Sequence, residues 1–131
     1  MAATTMPADL LDVFREPALG NLAYLNARGQ LVAFPMWVDY DGAHVLTSSA
    51  VGSRKGKSLR ERPQVAVLIV STTDPWHWLS VSGRVVRIEP DENLAFIDRM
   101  SQKYTGQPYQ RRTPREIFTI EIDRVNNVPW G

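Results

Sequence analysis

The sequence predicts a mainly β fold: a six-stranded antiparallel barrel, closed or split, with three short helices. Three observations predict it. Short runs of alternating or continuous apolar residues, separated by turn residues, recur along the chain. Neighbouring runs are joined by tight-turn sequences, "RGQ" at 28–30 and the Asp41–Gly42 pair. Helical periodicity is confined to three segments, and closure of the remaining strands would remove exposed edges.

Taken in order, Asp9 to Glu16 carries Leu10, Leu11 and Phe14 at helical spacing and stops before Pro17. "GNLAYLNA" (20–27) and "LVAFPMWVDY" (31–40) form a hairpin, and "AHVLTSS" (43–49) continues it through Asp41–Gly42. The basic segment that follows has Ser53 as a possible N-cap and Leu59 as its inward residue. "QVAVLIVS" (64–71) is apolar at every position from Val65 to Val70, so both of its faces need cover, the outer one from a partner. "WHWLSVSGRVVRIE" (76–89) is long for one strand, and Gly83 within it predicts a bulge or bend. The third helix opens at Pro90, with Asp91 and Glu92 in its first turn, and aligns Leu94, Ile97, Ser101 and Tyr104 before ending near Gly106. "TGQPYQRRTP" (105–114) is a polar loop. "REIFTIEIDRV" (115–125) alternates Phe118, Ile120 and Ile122 against Thr119, Glu121 and Asp123, which predicts one wet face.

With 131 residues, 44% of them hydrophobic, the chain fits one domain over 1–131 with one modest core. It has no cysteine, which excludes disulfides, thiolate metal sites and cysteine nucleophiles. The N-terminal residues lack a signal-peptide pattern and no stretch is long and apolar enough to span a bilayer, so a cytoplasmic protein with no membrane partner is expected.

Charge is local. Arg54, Lys55, Lys57, Arg60 and Arg62 face only Glu61 in their segment, while the whole chain is +1. A nucleic-acid binder would be basic over a whole face, so one small anion is the better target, and no nucleic-acid partner is expected. A strand end rich in small polar residues, then a cap and a helix opening with lysines, is how amides, hydroxyls and cations converge on phosphate. Cations in a first helical turn also oppose the helix dipole unless an anion is present. Trp37, Trp76, Trp78 and Trp130 add aromatic surface, and Trp76 and Trp78, flanking His77 at a strand start, would share a face. Hydrolytic and metal chemistry lacks support. His44 and His77 have no ligand-spaced partners, and Ser80–Gly83 lacks the glycine of a nucleophile elbow. No catalytic side chain is identified; a bound cofactor would have to carry any chemistry.

The succession from "GNLAYLNA" to "GRVVRIE", with Pro35-Met36-Trp37, Asp41-Gly42, "RKGKSL" (54–59) and "PWHWLSVSGRV" (75–85), resembles the flavin-type split barrels related to pyridoxamine 5′-phosphate oxidase. More narrowly it resembles the short members that bind the deazaflavin coenzyme F-420. The resemblance implies a homodimer of six-stranded split barrels holding two cofactors at the subunit interface. It places Lys55 and Lys57 on the cofactor phosphate, with Ser48 and Ser49 as further donors, and Pro35, Met36 and Trp37 beside the ring. Trp76 and Trp78 correspond to aromatic positions near the cofactor. Ser58 departs from the asparagine common there, although a hydroxyl still donates to phosphate. Arg54, Arg60, Arg111 and Arg112 are further cations for the carboxylates of an F-420 tail. The implied activity is hydride transfer between the deazaflavin and a conjugated small molecule. The alternatives are an FMN-dependent oxidoreductase of the same family, a cofactor-binding protein without turnover, and a small barrel that binds single-stranded nucleic acid through Trp76, Trp78 and the basic turn.

Overall fold

The computed structural model describes residues 6–127; Trp130 lies outside them. A 3-10 helical segment, Ala8–Phe14, precedes β1 (Gly20–Leu25), β2 (Leu31–Met36), β3 (Asp39–Tyr40), β4 (His44–Ala50), α1 (Arg54–Glu61), β5 (Gln64–Val70) and β6 (Trp78–Pro90). A 3-10 turn, Glu92–Leu94, runs into α2 (Ala95–Thr105), and β7 (Arg115–Asn126) ends the described chain.

The seven strands form one antiparallel sheet in the order β2-β1-β5-β6-β7-β4-β3. β2 and β3 occupy opposite edges, yet only Trp37 and Val38 separate them in sequence. Three peptide steps span at most about 11 Å, so the sheet must curl until its edges nearly meet. The result is a mainly β split barrel. Residues 31–40, expected as one of six strands, form two of seven. The break falls at Trp37–Val38, where two side chains of α2 take over the backbone groups. Tyr104 Oη accepts from the Val38 amide at 3.1 Å, and Lys103 Nζ donates to the Val38 carbonyl at 2.6 Å. Gly20 makes the break possible, because a Cβ there would come within 2.5 Å of Val38 Cγ1.

Alternation fills the barrel. Leu22, Val67, Ile69, Leu79, Val81, Phe118, Ile120 and Ile122 point inward, and Leu10, Val13 and Phe14 of the 3-10 segment pack on the same core. The segment is thus helical and amphipathic as expected, in the tighter 3-10 form. β5 alternates despite its continuous apolar sequence: Val65, Val67 and Ile69 are buried, while Leu68 is 40% exposed. On β7 the expected wet face is only partly wet, since Thr119 is buried along with Phe118, Ile120 and Ile122. Gly83 marks a register shift against β7 and tolerates no side chain, because a Cβ would lie 2.0 Å from the Glu121 carbonyl oxygen. Pro90 closes β6 instead of opening a helix. α2 starts after Asn93 and Leu94, both at φ 56°, and ends at Gly106 in the left-handed region as expected. Its apolar side buries Phe96, Ile97 and Met100 in a second cluster, against which Trp37, Leu46 and Ile117 pack. Among the described residues no helix is long and apolar enough to cross a membrane.

Candidate functional site

Where the β2–β3 break, the end of β4, the first turn of α1, α2 and the start of β7 converge, they leave a cleft of about 240 Å³. Pro35, Met36 and Trp37 supply one side, Ile97 and Met100 another, and Ser48, Lys55, Tyr109 and Arg115 supply its polar groups.

Lys55 reaches it because of how α1 is seated. Ser53 caps the helix, its Oγ accepting from the Gly56 amide at 3.0 Å and sharing a 2.8 Å hydrogen bond with Ser49 Oγ at the end of β4. Gly56 leaves room for the cap: a Cβ there would sit 3.1 Å from Ser53 Oγ. Lys55 Nζ then lies 3.0 Å from Met36 Sδ, a weak acceptor for an ammonium group. Burial, and secondarily the charge of Arg115, pushes its pKa below the usual lysine value.

Arg115 arrives through the β4–β7 pairing, which sets Ser48 opposite Ile117. Its Nε donates to Ser48 Oγ at 3.0 Å, and its guanidinium lies 5.1 Å from the Tyr109 ring centroid. Tyr109 is fixed in turn by Asp98. That carboxylate accepts from the Tyr109 amide at 3.1 Å and from both terminal nitrogens of Arg112, at 2.7 and 3.1 Å. The Arg112 hydrogen bond is the main reason the Asp98 pKa is lowered and, reciprocally, that of Arg112 raised. Tyr109 meets Trp37 edge-on, with centroids 5.9 Å apart, while Tyr104 stacks on Trp37 at 5.3 Å and 9°. Burial raises the Tyr104 pKa to about 12, which keeps its hydroxyl protonated and donating to the Ala18 carbonyl at 2.7 Å.

The cleft thus holds two cations, Lys55 and Arg115, and neither forms an ion pair with a carboxylate among the described residues. The nearest acid in sequence, Glu116, is committed to Arg60. Two unneutralised cations facing one aromatic-lined cleft repel each other when it is empty and favour an anion. The histidines play no part: His77 Nε2 lies 2.8 Å from Asp12 Oδ1, and His44 pairs with Asp41. No metal-ligating cluster occurs among the described residues.

Of the residues singled out in sequence, the structure brings together Pro35, Met36, Trp37, Ser48 and Lys55. Ser49 lies one residue away, its hydroxyl engaged with Ser53. Lys57 and Ser58 do not join them. Lys57 is two residues from Lys55, a spacing that does not share a helix face, and Ser58 is buried under α1; both border a separate cavity. Trp76 and Trp78 do not line the cleft either. Trp76 sits in a turn held by Asp74, whose carboxylate accepts from the Trp76 amide at 3.0 Å, so only Trp78 is on the strand and the expected common face is not formed. Arg60 and Arg112 are occupied by Glu116 and Asp98. Sequence reasoning missed Arg115 and Tyr109. Their only local signal was their position in and just after the polar loop, because strand pairing and the Asp98 contacts deliver them.

The family model described as pyridoxamine 5′-phosphate oxidase matches residues 6–129. Among solved structures, an F-420 reductase superposes with a TM-score of 0.84 at 23% identity, covering 94% of this chain and 100% of that one. HupZ from Group A Streptococcus gives 0.67 at 15% identity over 96% of both chains. General stress protein 26 from Bacillus anthracis strain Sterne gives 0.66 at 16% identity over 89% of both. No curated protein sequence matches the chain.

Proposed function

The chain belongs to the pyridoxamine 5′-phosphate oxidase family of split barrels, and on that premise we propose that it is an oxidoreductase that binds coenzyme F-420. The observation that carries the reading is the pair of unneutralised cations, Lys55 and Arg115, beside the apolar wall of Pro35, Met36 and Trp37. That donor set fits a phosphate joined to a flat ring system. The similarity to an F-420 reductase over that protein's full length supports the deazaflavin over FMN.

When bound in reduced form, the deazaflavin supplies a hydride to an unsaturated or conjugated acceptor. The chain's own residues do the rest. Lys55 and Arg115 hold the phosphate, Ser48 orients Arg115, and Trp37, buttressed by Tyr104 and Tyr109, presents a rigid apolar surface that excludes water. In this reading the proton that completes the reduction is taken from solvent.

A cleft of about 240 Å³ is smaller than ordinary small-molecule sites, and in this reading a second copy of the chain completes it. The outer sheet face is suited to that contact, with Leu31 79% and Leu68 40% exposed. Trp76 and Trp78 would then reach the cofactor only across the dimer interface.

Parallel fluorescence titrations of the purified protein with F-420 and with FMN test the reading. F-420 should bind at least tenfold more tightly at low salt, about 1.4 kcal/mol, and part of the margin should shrink as salt screens the exposed tail carboxylates. Equal affinity, or a preference for FMN at every ionic strength, would transfer the assignment to the FMN-dependent alternative. Binding of F-420 without oxidation of its reduced form by any conjugated acceptor would leave a carrier protein.

A further inference from the structure

α2 has two flanks. Ile97 and Met100 turn to the Lys55–Arg115 cleft, whereas Ala95, Phe96 and Arg99 border a second cavity, of about 660 Å³, on the other side. That volume lies within the range of small-molecule sites. Strand register builds its floor. Leu46, Thr119 and Arg87 lie opposite one another across β4, β7 and β6, and Glu89 lies opposite Ile117 in the next row. Directly paired residues share a sheet face, so Leu46 and Ile117, both half-buried, line one apolar floor, which Pro90 extends at the end of β6. Thr119 belongs to the same face. It is 1% exposed, and its Oγ1 has no hydrogen-bond partner among the described residues.

The rim carries surplus negative charge. Asp41, Glu89, Asp91 and Glu92 stand there against Arg87 and Arg99. Both arginines are engaged: Arg87 meets Glu89 at 3.5 Å, and Arg99 pairs at 3.3 Å with Asp39 while lying 5.2 Å from the Phe96 ring centroid. The amides at the start of α2, which would otherwise attract an anion, are taken by Asp91. Asp41 is likewise held, accepting from the Ala43 and His44 amides at 2.9 and 2.7 Å. That leaves Glu92, which forms no ion pair among the described residues, and Glu89, whose ion pair with Arg87 is long and exposed. An apolar floor with an unused hydroxyl, below carboxylates that lack a counter-charge, is complementary to a cation with an apolar body.

We propose that this cavity binds a small organic amine in its ammonium form, its apolar body on Leu46, Ile117 and Pro90 and its charge on Glu89 and Glu92. The site uses none of the basic residues of α1 and does not depend on the cofactor assignment.

Amide chemical-shift titrations at low salt with phenethylamine, phenethyl alcohol, ethylamine and phenylpropionate read the site directly. Phenethylamine should saturate, with shifts centred on Leu46, Glu92 and Ile117. The alcohol lacks the charge and ethylamine lacks the ring, so each should bind about tenfold more weakly, and phenylpropionate more weakly still. Replacing both acids, Glu89→Gln with Glu92→Gln, should bring the amine down to the affinity of the alcohol. Binding of the alcohol should change less than about twofold in that variant, which shows the cavity intact, and Lys55→Ala should leave the amine unaffected to the same extent. Absence of saturation in the parent, phenylpropionate binding as tightly as the amine, undiminished amine binding in the double variant, or shifts centred on Arg115 and Tyr109 would overturn the proposal.

Discussion

At the scale of single residues, the informative contrast is between Lys55 and two nearby cations, Arg60 and Arg62. Arg60 and Arg62 have carboxylates within reach, whereas Lys55 is half-buried against a thioether and repelled by Arg115. Lys55→Ala should therefore cost the cofactor at least tenfold in affinity, about 1.5–3 kcal/mol for a lost charge-assisted contact, measured by fluorescence titration. The empty protein should respond in the opposite sense. The folded-state pKa of Lys55 lies below 10.5, so its ammonium form destabilises the fold at every pH below that lowered value, and the penalty vanishes as pH rises past 10.5. Lys55→Met should melt higher than the parent by a similar margin at about pH 6 and about pH 8, and the margin should narrow toward alkaline pH. A lower melting point with unchanged cofactor affinity would make Lys55 a structural residue.

At the scale of elements, two short segments are held by carboxylates. Asp91 is buried and its two oxygens accept from the Phe96 and Ile97 amides at 2.8 and 2.9 Å, which lets α2 begin immediately after the left-handed Asn93–Leu94 pair. Asp91→Ala should cost about 1–2 kcal/mol, as for a lost helix cap, in denaturant unfolding. Because α2 carries Ile97 and Met100 into the cleft, cofactor affinity should fall with it. The N-terminal 3-10 segment is clasped to the turn before β6. Asp12 meets His77 at 2.8 Å, and Glu16 accepts from the Thr72 amide at 2.8 Å. The Asp12 hydrogen bond raises the His77 pKa, and His77 lowers that of Asp12. A raised histidine stabilises fully below its unfolded value near 6.5 and loses that contribution as pH climbs through the raised value; a lowered aspartate contributes above 3.8 and loses it as pH falls. The melting-temperature deficit of His77→Asn should therefore be largest near about pH 5 and should fade above about pH 8. A deficit independent of pH would assign the contact to packing.

At the scale of the whole molecule, the question is what covers the outer side of β2, β1 and β5. Ala33, Leu31 and Leu68 leave an apolar band on the face opposite the core, and large apolar patches on soluble proteins mark interfaces. Sedimentation at micromolar concentration should report a dimer. Leu68→Asp should shift it to monomer without unfolding it, since the side chain faces outward, and, on the proposed function, should also weaken cofactor binding. A monomeric parent that binds cofactor tightly would remove the interface from the proposed function.

The sequence by itself determined the β class, the strand positions outside 31–40, the Ser53 cap, the Gly83 bulge and a concentration of basic residues on the helix after β4. These are local properties: period-two alternation, cap chemistry and charge density act over a few residues and survive whatever surrounds them. It misread 31–40 as one strand, since the α2 groups that take over the Val38 backbone, Lys103 and Tyr104, lie more than sixty residues away. The family resemblance sets Lys57 beside Lys55, whereas in the structure the two border different cavities, because residues two apart on a helix do not share a face. Arg115 and Tyr109 come to line the candidate cleft only in the tertiary structure. Antiparallel pairing of β4 with β7 brings Arg115 to Ser48 across 67 positions of sequence, and a contact of that separation is selected by the closure of the whole sheet, which no local pattern encodes.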